Sequence, residues 1–156
     1  MTSSATTTTS NDQLPVPGTD LFHGSWRIGT MLPGSPLLTV HLTFAARSGC
    51  VAGFGQVTQA TNPPLDVLSR LGGDFTYLTV MPDVTHVLVT ATGFPVIDWP
   101  SHGGSGPVLP PNLSLRMVLT ADWRGGTATF QYTAPDGTPV TIESATVELV
   151  GTMGPA

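Results

Sequence analysis

Lysine is missing from this 156-residue sequence, and its five basic residues are all arginines: Arg27, Arg47, Arg70, Arg116 and Arg124. Phosphate binding needs a concentrated basic face. Five scattered arginines against a net charge of −5 do not make one, which argues against nucleic acid and anionic membranes as partners. Charge of either sign is scarce, at 10% of residues against ~25% in an average soluble domain. The single cysteine, Cys50, excludes an internal disulfide framework and a cysteine-based zinc site. Its expected place is the core, where a free cysteine packs as a small hydrophobe. No apolar run reaches the ~18 residues of a membrane-spanning helix, so no membrane insertion is expected. The first 18 residues, MTSSATTTTSNDQLPVPG, have neither the basic start nor the apolar segment of a signal peptide. A soluble, cytoplasmic protein is the default expectation, with a specialised secretion route as the alternative.

The remainder is apolar enough to fold. Hydrophobic residues are 40% of the chain and its mean hydropathy is +0.19, which indicates a globular chain and not a disordered one. With 24 threonines, 18 glycines and 15 prolines, exposed positions are filled by hydroxyls and turn residues instead of charge. The absence of lysine beside abundant alanine, glycine and proline points to a GC-rich bacterial genome. Residues 1–18 have no apolar period and read as a disordered Ser/Thr-rich tail. Residues 19–151 read as one β domain, and 152–156 as a disordered end.

Period-two alternation carries the fold. In Leu38-Thr39-Val40-His41-Leu42-Thr43-Phe44, apolar side chains take one face and Thr39, His41 and Thr43 the other, the signature of a half-buried strand. Similar segments recur at Phe22–Met31, Cys50–Thr58, Leu65–Leu71, Asp74–Met81, Val84–Thr92, Leu113–Thr120, Thr127–Thr133 and Thr138–Val150. Gly72-Gly73 reads as a two-residue hairpin turn between Leu65–Leu71 and Asp74–Met81. Helix evidence is confined to Pro64–Leu71, where Asn62 could cap two turns. The expectation is an all-β antiparallel meander of eight or nine strands, as an up-and-down barrel in preference to a sandwich, with at most one short helix. Lysine-free strands lack the usual guard against edge pairing, which favours closure or a homo-oligomer.

Catalytic patterns fail in turn. Gly103-Gly104-Ser105-Gly106-Pro107 has proline where a nucleophile elbow needs its last glycine. Glu143 and Glu148 are five apart, so simple alternation places them on opposite faces of a strand, where they cannot pair as acid and base. Asn112-Leu113-Ser114 matches a glycosylation sequon, read as a chance match without a secretory signal. His41 and His86 read as solvated or hydrogen-bonded strand histidines, and His23 as structural. His102 stands apart, in a twenty-residue stretch from Gly93 to Asn112 that also holds Asp98 and Trp99. Connections of that length are functional or packed on themselves. One reading makes it a binding loop, with Trp99 stacking on a ligand and Asp98 and His102 giving polar contacts. The other makes Trp99, Ile97 and Val108 a plug for the barrel end. No metal and no cofactor are expected.

Gly55-Gln56-Val57-Thr58-Gln59-Ala60-Thr61-Asn62-Pro63-Pro64-Leu65-Asp66-Val67, Phe75-Thr76-Tyr77-Leu78-Thr79-Val80-Met81-Pro82, Thr85-His86-Val87-Leu88-Val89-Thr90-Ala91-Thr92-Gly93 and Pro110-Pro111-Asn112 resemble a small bacterial family known as domain of unknown function 1842. The resemblance spans about Phe22 to Tyr132 and brings no catalytic residues with it. Gly24-Ser25-Trp26 is also similar to the opening strand of avidin-like and lipocalin-like barrels, a likeness too short to carry a ligand. The leading functional expectation is a non-catalytic module that binds a small apolar ligand or a protein partner. The alternatives are a hydrolase or isomerase using Asp98 and His102, with Ser101 or Ser105, and a surface or secreted interaction protein that host antibodies would meet.

Overall fold

The computed structural model describes residues 21–80, 84–97 and 109–155. Those residues form nine strands: β1 (Leu21–Gly29), β2 (Leu37–Ala45), β3 (Cys50–Gln59), β4 (Leu65–Val80), β5 (Val84–Pro95), β6 (Leu113–Leu119), β7 (Gly125–Thr133), β8 (Pro139–Leu149) and β9 (Gly154–Pro155). Each of the first eight pairs antiparallel with its neighbour in sequence, and β1 pairs with both β2 and β8. The result is an eight-stranded up-and-down barrel with no helix among the described residues. The seam is uneven. Trp26–Gly29 of β1 pair with β8, while Phe22 and His23 pair with β9. The segment expected to trail away after residue 151 thus returns to the barrel, where Met153 packs on the core.

Alternation places the core. Along β2, Leu38, Val40, Leu42 and Phe44 are buried while His41 is exposed. An eight-stranded barrel leaves an interior just wide enough for side chains to fill, and here they fill it with help from glycine. A Cβ on Gly55 would lie 3.0 Å from both Leu71 and Leu113, and one on Gly93 would lie 2.9 Å from Leu113 and 3.0 Å from Leu71. Bare backbone on β3 and β5 therefore makes room for leucines of β4 and β6. Ser69, fully buried among them, donates to Asn112 Oδ1 at 2.8 Å. The Asn112 backbone also bonds Gly93 and Thr133. The sequon asparagine is thus engaged inside the fold and half-buried.

One barrel end is closed by rings. Trp123 lies in the β6–β7 turn with φ of 65° and is fully buried. Its indole meets Phe44 at 5.0 Å between centroids, Phe22 at 5.3 Å and Phe75 at 5.9 Å, each at a steep angle. Such edge-to-face pairs contribute about 0.5–1.5 kcal/mol beyond their buried area. Trp26 Nε1 donates to the Trp123 carbonyl at 2.8 Å, tying the turn to β1. A β-turn followed by a left-handed residue usually places glycine there; tryptophan stands at this one because its ring seals the bore.

Three departures from the sequence expectations concern how the strands run. Pro64–Leu71 holds no helix, since β4 starts at Leu65. Gly72-Gly73 is no hairpin but the middle of a 16-residue strand. A Cβ on Gly73 would meet the Thr90 carbonyl oxygen at 1.9 Å, whereas one on Gly72 meets nothing within 4 Å. The pair marks a tight bend against β5, which is another use of strand glycine. Third, Glu143 and Glu148 share the outer face. A bulge between β7 and β8, with Ser144 at φ 55°, shifts the alternation by one residue between them.

Gly73→Ala is expected to destabilise the protein by about 3 kcal/mol, the upper range for overpacking, because backbone has to move. Gly72→Ala is expected to be neutral or to stabilise by about 0.5–1 kcal/mol. Urea denaturation of the two variants measures the contrast, and equal effects would contradict it. Trp123→Ala is expected to cost about 3–5 kcal/mol, read by the same assay.

Candidate functional site

Asp98, Trp99 and His102, with Ser101 and Ser105, lie outside the described residues. Ile97, at the near end of that stretch, is 42% exposed, so it does not plug the barrel. The plug that is seen, Trp123, stands at the opposite end, since antiparallel order puts the β5–β6 and β6–β7 connections at opposite ends.

Among the described residues the histidines and Cys50 stand apart from one another. His41 Nδ1 and Ser25 Oγ are 2.7 Å apart on the outer face, as expected of a hydrogen-bonded strand histidine. His86 differs, because its Nδ1 is buried and has no hydrogen-bond partner among the described residues. Cys50 is exposed and not in the core; it opens β3 on the outward phase of the alternation, while Val51 takes the inward one. Among the described residues no group of three His, Cys, Asp or Glu could hold a metal, and no helix is long and apolar enough to cross a membrane.

A recess of about 430 Å³ lies near the seam, lined by Asp122, Arg124, Glu148, Leu149 and Met153 among others. Its most perturbed group already has an occupation. The Thr120 hydroxyl donates to the Asp122 carboxylate, the Arg124 N–H donates to it at 3.1 Å, and together they hold its pKa below the usual carboxylate value. A depressed carboxylate stabilises the fold above its unfolded pKa of ~3.9 and loses that contribution as pH falls through the lower folded value. The carboxylate organises the turn that carries Trp123. Asp136 is held low in the same way by Thr138 in the β7–β8 turn.

The unusual feature is on the outside. Phe54 on β3, Leu68 on β4 and Phe94 on β5 are each 46% exposed, and Val96 is 40% exposed. The register brings them together: Phe54 pairs with Arg70, and Arg70 with Phe94. Leu68 lies two residues from Arg70 on the same face, opposite Gln56. Elsewhere the outer positions of these strands are mostly polar or small, with Leu78 and Val84 exposed again at the far end of the β4–β5 ladder. Four large apolar side chains, each near half-exposed, present on the order of 300 Å², the size at which surface patches on monomers are often functional. The sequence held the signal. Phe54, Leu68 and Phe94 each break the polar phase of their strands, but only the pairing register shows that the three breaks adjoin.

The chain belongs to the family described as domain of unknown function (DUF1842), which matches residues 19–136. No curated protein matches it.

Exposed apolar residues that serve a partner, and not the fold, can be replaced at small cost. Leu68→Thr and Phe94→Thr are each expected to change stability by no more than about 0.5 kcal/mol, measured by urea denaturation at low protein concentration. A loss of 2 kcal/mol or more, the order of a buried leucine's contribution, would show that these side chains serve the core.

Proposed function

We propose that this member of the DUF1842 family is a non-catalytic β-barrel module that binds a protein through the outer face of β3, β4 and β5. The apolar patch of Phe54, Leu68, Phe94 and Val96 around Arg70 is the observation that carries this reading. Two phenylalanines flanking a central arginine match the residue types enriched at interface centres, while Leu68 and Val96 add apolar area beside them. The same observation bears on the small-ligand version. Carrier barrels keep a cavity for their ligand, whereas leucines here sit against bare glycine backbone inside the bore and rings close one end. Interior volume is spent on packing, and apolar surface is spent outside.

Cross-linking in the native cell, followed by mass spectrometry, tests the reading. Wild-type protein is expected to give adducts through the β3–β5 face, and a Leu68→Glu/Phe94→Glu double variant with an unchanged melting temperature is expected to lose them. Adducts of equal yield from the two proteins would overturn it. As a companion measurement, apolar ligands and lipophilic dyes are expected to leave the emission of Trp26 and Trp123 unchanged in a Trp99→Phe background. A saturable emission change together with a rise in melting temperature would restore the interior-ligand reading.

A further inference from the structure

Resting on that reading, we infer that the partner seated on the β3–β5 face is a second copy of this chain. The observation is the order of side chains that β4 presents outward: Asp66, Leu68, Arg70. Residues two apart on a strand share a face, so an acid and a base stand at equal distances on either side of a leucine. A two-fold axis lying across the strands at Leu68 turns this triplet end for end. It sets Leu68 against Leu68 of the second copy and Asp66 against the other copy's Arg70, twice. Two-fold interfaces require a surface that is complementary to itself, and this stripe meets the requirement in charge, with an apolar residue on the axis.

The surroundings fit the same arrangement. Phe54 and Phe94 flank Arg70 on the neighbouring strands, and Val96 flanks Leu68 in the next row, one step along the Ser69–Pro95 pairing. On association they cover the ion pairs and keep water from them. Asp66 is held in place by the Gln56 amide, which donates to its Oδ1 at 2.8 Å. Arg70 makes no hydrogen bond or ion pair among the described residues, so its charge is available. The apolar centre is smaller than the ~800 Å² per partner of a standard interface, which places the expected dimer in the micromolar range.

Sedimentation equilibrium of the full chain, with a circular dichroism melt of each variant to confirm folding, tests the inference. Wild type is expected to dimerise at tens of micromolar. Asp66→Arg and Arg70→Asp are each expected to weaken self-association by at least about 30-fold, since each leaves like charges facing across a desolvated contact. The decisive arm mixes the two variants: every facing pair then has opposite charges, and a heterodimer of near wild-type affinity is expected. Asp74→Arg is the control, since it makes the same charge change on the far side of Arg70, and it is expected to leave the dimer intact.

A monomeric wild type at 100 μM overturns the inference. So does a mixture of Asp66→Arg and Arg70→Asp that stays monomeric, or a rescue of Arg70→Asp by Asp74→Arg instead. A monomeric wild type whose melting temperature falls in Leu68→Glu would mean the face is covered by its own chain, which also overturns it. A monomeric wild type that still gives face-dependent adducts to another protein would overturn the self-association while leaving the protein-binding reading in place. Absence of adducts of any kind would remove both.

Discussion

Closing eight strands on themselves fixes the width of the bore, and everything inside must be cut to that width. β1 sets the closure because it pairs with β2 on one side and with β8 and β9 on the other. Once the ring is closed, leucines of β4 and β6 can pack inward only where β3 and β5 present glycine. At one end aromatic side chains fill the bore. There Phe22, Phe44 and Phe75 gather around the Trp123 indole, and the Trp26 hydrogen bond holds the β6–β7 turn over the opening. Sequence, bend and plug answer one geometric demand.

A barrel whose bore is occupied by side chains has its exterior left for binding. A barrel with a ligand cavity can be polar all round its exterior, because its chemistry is inside. In this chain the interior is occupied by its own side chains, and the departure from a polar exterior is concentrated where β3, β4 and β5 adjoin. Those strands also hold Gly55, Gly73 and Gly93, whose bare backbone allows the close packing behind the patch. The inward glycines and the outward apolar residues alternate along the same strands, so one sequence pattern serves the core and the exposed face.

Much of the architecture was legible because period-two alternation is strong wherever one face is buried. Leu38–Phe44 shows it plainly, and the closed meander follows from many short strands with tight turns. What was illegible had specific causes. Gly72-Gly73 can mean a turn or a close approach, and only the Thr90 carbonyl on the partner strand decides between them. The bulge at Ser144 inverts the alternation without a distinctive residue, which moved Glu143 to the face of Glu148. Trp123, between the sixth and seventh strands, carried no sequence signal of its place, because its burial in a left-handed turn position overrides the usual preference for glycine there. The outer patch needed the strand register, which single-strand patterns do not contain. The Asp98–His102 stretch, by contrast, stands out within a single segment by its length and residue types.

Closure of one barrel end by the ring cluster is read most directly by hydrogen exchange at the two indole N–H groups of Trp26 and Trp123, followed by NMR. Because both are buried behind the ring cluster, the account predicts exchange only through global unfolding, with protection that tracks the full stability of the domain. Exchange within minutes under conditions where the β-sheet amides stay protected would show an open end and a wet bore. That result would contradict the account.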